Sequence, residues 1–155
     1  MEKKQFACAF TGHRDLAENF NKEQLKSEII VLIEEGATAF YCGMAVGFDL
    51  LAAETVLALK KDYPFIKLVA CIPCEGQDKY FSPTQKEKYA SLVELSDEKI
   101  ILYPRYVRGC MQARNRYMCD NAEVLIAHLY KDSGGTAGTV AYFEKKYPDK
   151  RIVRV

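Results

Sequence analysis

Short apolar runs alternate along this chain with stretches whose apolar residues recur every three to four positions. The first run, residues 6–10, reads Phe-Ala-Cys-Ala-Phe and gives way to a polar loop. Leu25, Ile29, Leu32 and Ile33 then share one stripe of a helical repeat, which Gly36 is placed to close. Apolar runs at 38–41, 65–72, 99–102, 124–129 and 151–155 predict five more strands, the second of these ended by Pro73. Helices are expected at about 48–60, 84–95, 110–120 and 137–146, the second of these with Pro83 at or before its first turn. The strand runs lack strict polar alternation, so both of their faces should be covered. The pattern predicts one α/β domain over residues 1–155, a mainly parallel sheet with helices on both faces.

Composition narrows the choice of partner. The 155 residues carry 22 Lys+Arg against 21 Asp+Glu, a net charge of +1 that advertises neither a nucleic-acid nor a membrane surface. The chain begins with no apolar leader, and no apolar stretch is long enough to span a bilayer, so a cytoplasmic protein is expected. Six cysteines are present, and those at 8, 42 and 71 fall within or at the ends of expected strands, as small reduced hydrophobes do. Cys71 and Cys74 have redox-motif spacing, but Cys71 belongs to a strand, and no second pair exists for a metal. No metal site is expected.

Ligands of parallel α/β sheets bind outside the carboxyl ends of the strands, and the unusual loops all lie there. Thr11-Gly12-His13-Arg14 brings a hydroxyl, an imidazole and a guanidinium to the end of the first strand. Arg14 can grip a phosphate bidentately, and His13 is read as a ligand contact in preference to a catalyst. Gly43, Met44, Ala45, Gly47 and Asp49 form a strand–loop–helix turn suited to an anion at the helix N-terminus. Asp49 either caps that helix or reaches a ribose hydroxyl or base. Residues 73–77 add Glu75.

Arg114 and Asn115 precede Arg116 in a helix. Residues two apart do not share a helical face, so only one of the two arginines can enter the site. Gly134, Gly135, Thr136 and Thr139 form a second phosphate cradle, in which the two threonines can point the same way. Gly43, Gly47 and Gly135 are each expected to need positive φ or a close approach.

At these segments the chain resembles the YpsA-like family of the SLOG superfamily, which also holds DprA and the LOG cytokinin-activating enzymes. The pattern is carried by residues 11–14, by Gly43-Met44-Ala45-x-Gly47-Phe48-Asp49, by residues 114–118 and by Gly134-Gly135-Thr136-x-x-Thr139-Val140. The resemblance implies a Rossmann-like domain binding a nucleotide or a nucleotide-derived ligand, ADP-ribose and NAD included, as a sensor or adaptor. It also raises two alternatives: a nucleotide N-ribohydrolase like the LOG proteins, with Asp49, Glu75 or His13 as candidate groups, and single-stranded DNA binding like DprA. Against the first, the position of the LOG glutamate is nearest Tyr142. Against the second stands the net charge, although Arg105, Arg108, Arg114 and Arg116 cluster. Self-association is left open.

Overall fold

The computed structural model describes residues 5–155, so residues 1–4 of the expected domain lie outside the described part. Six strands alternate with five helices: β1 (Ala7–Gly12), α1 (Lys22–Glu34), β2 (Ala39–Cys42), α2 (Phe48–Leu59), β3 (Lys67–Cys74), α3 (Pro83–Leu95), β4 (Glu98–Tyr103), α4 (Cys110–Asp120), β5 (Val124–His128), α5 (Gly135–Lys146) and β6 (Arg151–Arg154). All strand pairs are parallel, in the order β4-β3-β2-β1-β5-β6.

The side-chain period of two divides the core between the two faces of the sheet. Cys8, Phe10, Leu68, Ala70, Val124 and Ile126 pack with the stripes of α1, α2 and α3. Their neighbours Ala9, Val69, Cys71, Leu125 and Ala127 pack on the other face with Met118 of α4 and with Val140 and Phe143 of α5. Doubly covered strands explain why the sequence shows apolar runs instead of alternation.

Helix boundaries follow local chemistry. Asn21 caps α1 through its side chain, and Ser82 and Gln85 form a reciprocal capping box ahead of α3, with Pro83 in its first turn. One expectation is corrected: β3 does not stop before Pro73. It runs on to Cys74, keeping the registers Ile72↔Ile101 and Cys74↔Tyr103 with edge strand β4. The pairs with β2 end at Ala70, so Pro73 lies where β3 has a neighbour on one side only, an edge-like position that tolerates a missing ladder donor. No helix among the described residues is long and apolar enough to cross a membrane.

Candidate functional site

The strand order reverses between β1 and β5. Chain leaving β1 passes to β2 on one side, while β5 lies on the other, so the two carboxyl-end loops part and leave a crevice. A cleft of about 460 Å³ occupies it. Residues 11–14 line it from β1, Ala45 and Asp49 from the α2 turn, Arg114 and Asn115 from α4, and Gly134, Gly135 and Thr136 from α5.

The two glycine loops do different work. Gly47, the N-cap of α2, has φ +87°, and a Cβ there would lie 2.0 Å from the carbonyl oxygen of Arg14. That close approach lets Phe48 N–H donate to His13 O at 3.2 Å and Leu50 N–H to Ala45 O at 3.2 Å. Asp49 Oδ2 accepts from Ala45 N–H at 3.3 Å. Carbonyls of the chain itself thus take up donors of the first turn of α2, and the turn braces the β1 loop. Gly12 serves the same packing, since a Cβ on it would meet the Phe48 ring at 2.3 Å. Gly43 and the fully buried Met44 lie beneath the cleft and do not line it.

The N-terminus of α5 is the open one. Its N-cap, Gly134, has φ +95° and gives no side-chain cap, and nothing lies within 4 Å of a Cβ built on Gly134 or Gly135. Gly135 has no positive φ, so the conformational demand expected of it falls on Gly134. First-turn N–H groups here have no helical acceptor and face the cleft. Arg14 and Lys131 line the same cleft. Arg14 is exposed and has no ion-pair partner among the described residues, while the Lys131 ammonium sits 5.1 Å from the Tyr130 ring centre. The two threonines do not act together: Thr136 lines the cleft, whereas Thr139 donates its hydroxyl to Gly135 O at 2.8 Å and lines a neighbouring groove.

Arg114 and Gln77, which also line the cleft, meet at the Gly43 carbonyl beneath it. Arg114, only 5% exposed, donates from Nη1 to Gly43 O at 2.6 Å and to Cys71 O at 3.3 Å, and from Nε to Asn115 Oδ1 at 2.8 Å. Gly43 carries no side chain because a Cβ there would sit 2.7 Å from that Nη1. Gln77 donates from Nε2 to the same carbonyl at 3.0 Å, which leaves its buried Oε1 without a partner. Burial pushes the Asp49 carboxyl up to about 6, against the pull of Arg114 and the Ala45 N–H. Arg116, two residues on and on a different face of the helix, is exposed.

Other expected residues stand elsewhere. His13 lines the cleft, but its Nε2 accepts from Tyr130 N–H at 3.3 Å and Lys131 N–H at 3.4 Å, so the ring ties the β1 loop to the β5 loop. Burial first, then Lys131 and His128, hold its pKa below the ordinary value. His128 is structural: Nε2 accepts from Ala17 N–H at 3.1 Å, so Nδ1 carries the proton donated to Val155 O at 3.0 Å.

Glu75 is exposed on the turn beyond β3 and does not line the cleft; the chain brings in Gln77 two residues later instead. Sequence reading passed over Gln77 because a glutamine in a polar turn carries no signal until the Gly43 carbonyl is beside it. Tyr142 turns its hydroxyl to Asp120 Oδ1 at 2.9 Å, and its ring lines the neighbouring groove. Cys71 and Cys74 are both free and buried within β3, where burial pushes the Cys71 thiol up to about 12. No group of three or more His, Cys, Asp or Glu among the described residues is placed to hold a metal ion.

Comparison with known proteins agrees with this architecture. The SPbeta prophage-derived protein YoqJ of Bacillus subtilis is 30% identical over 149 residues, covering 85% of this chain and 87% of its own length. DNA processing protein A from Helicobacter pylori, described for its single-stranded DNA binding mode, superposes with a TM-score of 0.69 at 22% identity. DNA processing protein A from Streptococcus pneumoniae gives the same TM-score at 17% identity. The match covers 97% of this chain in both, but only 65% and 50% of those two chains, and at such identities the likeness is one of fold. The YpsA model, that of the YspA SLOG family, matches residues 4–152, and the chain belongs to this family.

Proposed function

We propose that this cytoplasmic domain binds a nucleotide or nucleotide-derived ligand in the β1–β5 cleft, as a sensor or adaptor, with a phosphate at the N-terminus of α5. One observation carries the reading: a helix N-terminus with no side-chain cap opens into a cleft that is also lined by Lys131 and by Arg14, which has no ion-pair partner among the described residues. Helix N–H groups and the helix dipole favour an anion, and a guanidinium beside them adds charge-assisted hydrogen bonds. The cleft volume lies within the range of small-molecule sites, roughly 300–1,000 Å³.

A thermal-shift screen with nucleoside monophosphates, ADP-ribose and NAD tests the proposal. At about 100 times its dissociation constant, a true ligand adds about 2.7 kcal/mol of stability. Arg14→Ala should weaken that ligand without lowering the melting temperature of the free protein. If no phosphorylated nucleoside shifts the wild type, the reading fails.

A second reading, single-stranded nucleic acid, draws on a groove of about 640 Å³ that shares Asn115, Gly134 and Gly135 with the cleft and carries Arg116 and Lys145. Cleft and groove adjoin through these three shared residues. Binding of a thymidine oligomer that weakens steeply with salt, and more in Arg116→Ala than in Arg14→Ala, would favour this reading.

A further inference from the structure

Two cysteines meet at the carboxyl edge of the sheet. Cys74 is the last residue of β3 and Cys110 the first of α4, and both thiols are free. Arg114 anchors α4 to β3 through its 3.3 Å bond to Cys71 O. Cys110 lies one helical turn before Arg114, and Cys74 lies three strand residues after Cys71. A helix that crosses over between parallel strands runs opposite to them, so both steps lead to the same edge. There the two side chains make a thiol–thiol hydrogen-bonding contact. Cys74 is only 2% exposed and Cys110 1%, so the pair is shielded from bulk water. Burial first, then the Cys110 thiol beside it, holds the Cys74 thiol above its ordinary value. Spacing in the sequence points to another partner, since Cys71 and Cys74 stand as C-x-x-C. Three strand residues, however, separate those Cα atoms by about 10 Å, beyond the roughly 7 Å that a disulfide spans.

We infer that Cys74 and Cys110 form a reversible disulfide under peroxide, which staples the start of α4 to the end of β3. One thiol, once ionised, attacks the peroxide and becomes a sulfenic acid, with release of one water. The second thiol then attacks that sulfur and forms the S–S bond. The hydroxide it displaces leaves with the thiol proton as a second water. Two thiols and one hydrogen peroxide thus give one disulfide and two waters. Residues 103–109, just before Cys110, are all exposed, and nothing lies within 4 Å of a Cβ built on Gly109. Local opening of that segment admits the oxidant and lets the two sulfurs close to bonding distance. Met111, next to Cys110, and Arg114 both line the cleft, so the staple holds two of its lining residues. In a reducing compartment such a bridge is transient, and a thiol reductant reopens it.

The test treats the folded wild-type protein with hydrogen peroxide, removes the excess with catalase, then unfolds it and labels free thiols with N-ethylmaleimide. Intact mass should show six labels before treatment, one for each cysteine, and two fewer after it, with all six regained on dithiothreitol. Peptide mapping without reduction should join the peptides that hold residues 74 and 110. Cys74→Ala and Cys110→Ala should each yield no such bridge, while Cys71→Ala should still lose two labels to it. Amide exchange across residues 104–114 should slow in the oxidised form, and unchanged exchange would strip the bridge of any hold on α4. Retention of all six labels by the wild type, a bridge mapped to other cysteines, or sulfinic acid at either residue in place of a bridge would overturn the inference.

Discussion

Gly47 shows how one residue can hold two loops together. Its φ of +87° is accessible to glycine at no steric cost, and the Arg14 carbonyl occupies the space where any side chain would begin. Gly47→Ala should cost about 2–4 kcal/mol from the left-handed backbone and the forced separation of the two loops, read as a drop in denaturant midpoint. His13 sets a second test. The neutral ring accepts two backbone N–H groups, and its pKa lies below 6.5 in the folded protein. An unfolded chain therefore takes up a proton there that the folded one refuses, and stability falls as pH drops below 6.5 until the folded residue titrates. Asp49 acts in the opposite sense. With its pKa raised from 3.8 to about 6, its contribution is greatest in acid and is lost as pH rises through that window. Melting temperatures across about pH 5–8 should lose less on the acid side in His13→Gln than in wild type, and more in Asp49→Asn.

Among the elements, α2 and α5 begin alike in sequence and differ in use. Both follow a strand and a glycine, but only α2 is closed by the β1 loop folding onto it through Phe48 N–H. The α5 terminus can be tested by adding charge at the exposed Ser133. In Ser133→Glu a negative group near the positive end of the dipole should raise stability by about 0.3–1 kcal/mol. The same charge repels a bound phosphate, so ligand affinity should fall several-fold. Stability and affinity moving together would argue against an anion at this terminus. In helix α4 the spacing of the arginines put them on different faces, and the structure buries Arg114 and exposes Arg116. Which of them would be inside was not legible, because the Gly43 and Cys71 carbonyls that receive Arg114 come from β2 and β3.

For the molecule as a whole, the topology brings four loops to one edge but supplies few carboxylates to the cleft. Asp15 and Asp49 line it; Glu75 and Tyr142 do not. Cleaving a ribosyl bond builds oxocarbenium-like charge that a well-placed carboxylate must stabilise. N-glycosidase turnover of nucleoside monophosphates or NAD is therefore expected to be absent or very slow beside that of LOG enzymes, as checked by chromatography for free base. Rapid release of base, abolished in Asp49→Asn with the fold intact, would make this an enzyme.

Sequence alone determined the alternation of strands and helices, the parallel sheet and the edge at which the polar loops gather. Those features follow from local periodicity and from glycine, proline and capping residues that act within a few positions of themselves. Tertiary structure decided which loop is open and which is a brace. That choice depends on the Arg14 carbonyl meeting Gly47 across 33 positions, and on His13 reaching the N–H groups of Tyr130 and Lys131, more than a hundred positions away. It also replaced Glu75 by Gln77 and gave Gln77 its unpaired oxygen. Hydrogen-bond partners so distant in sequence are set by strand order, and a one-dimensional pattern carries no trace of them.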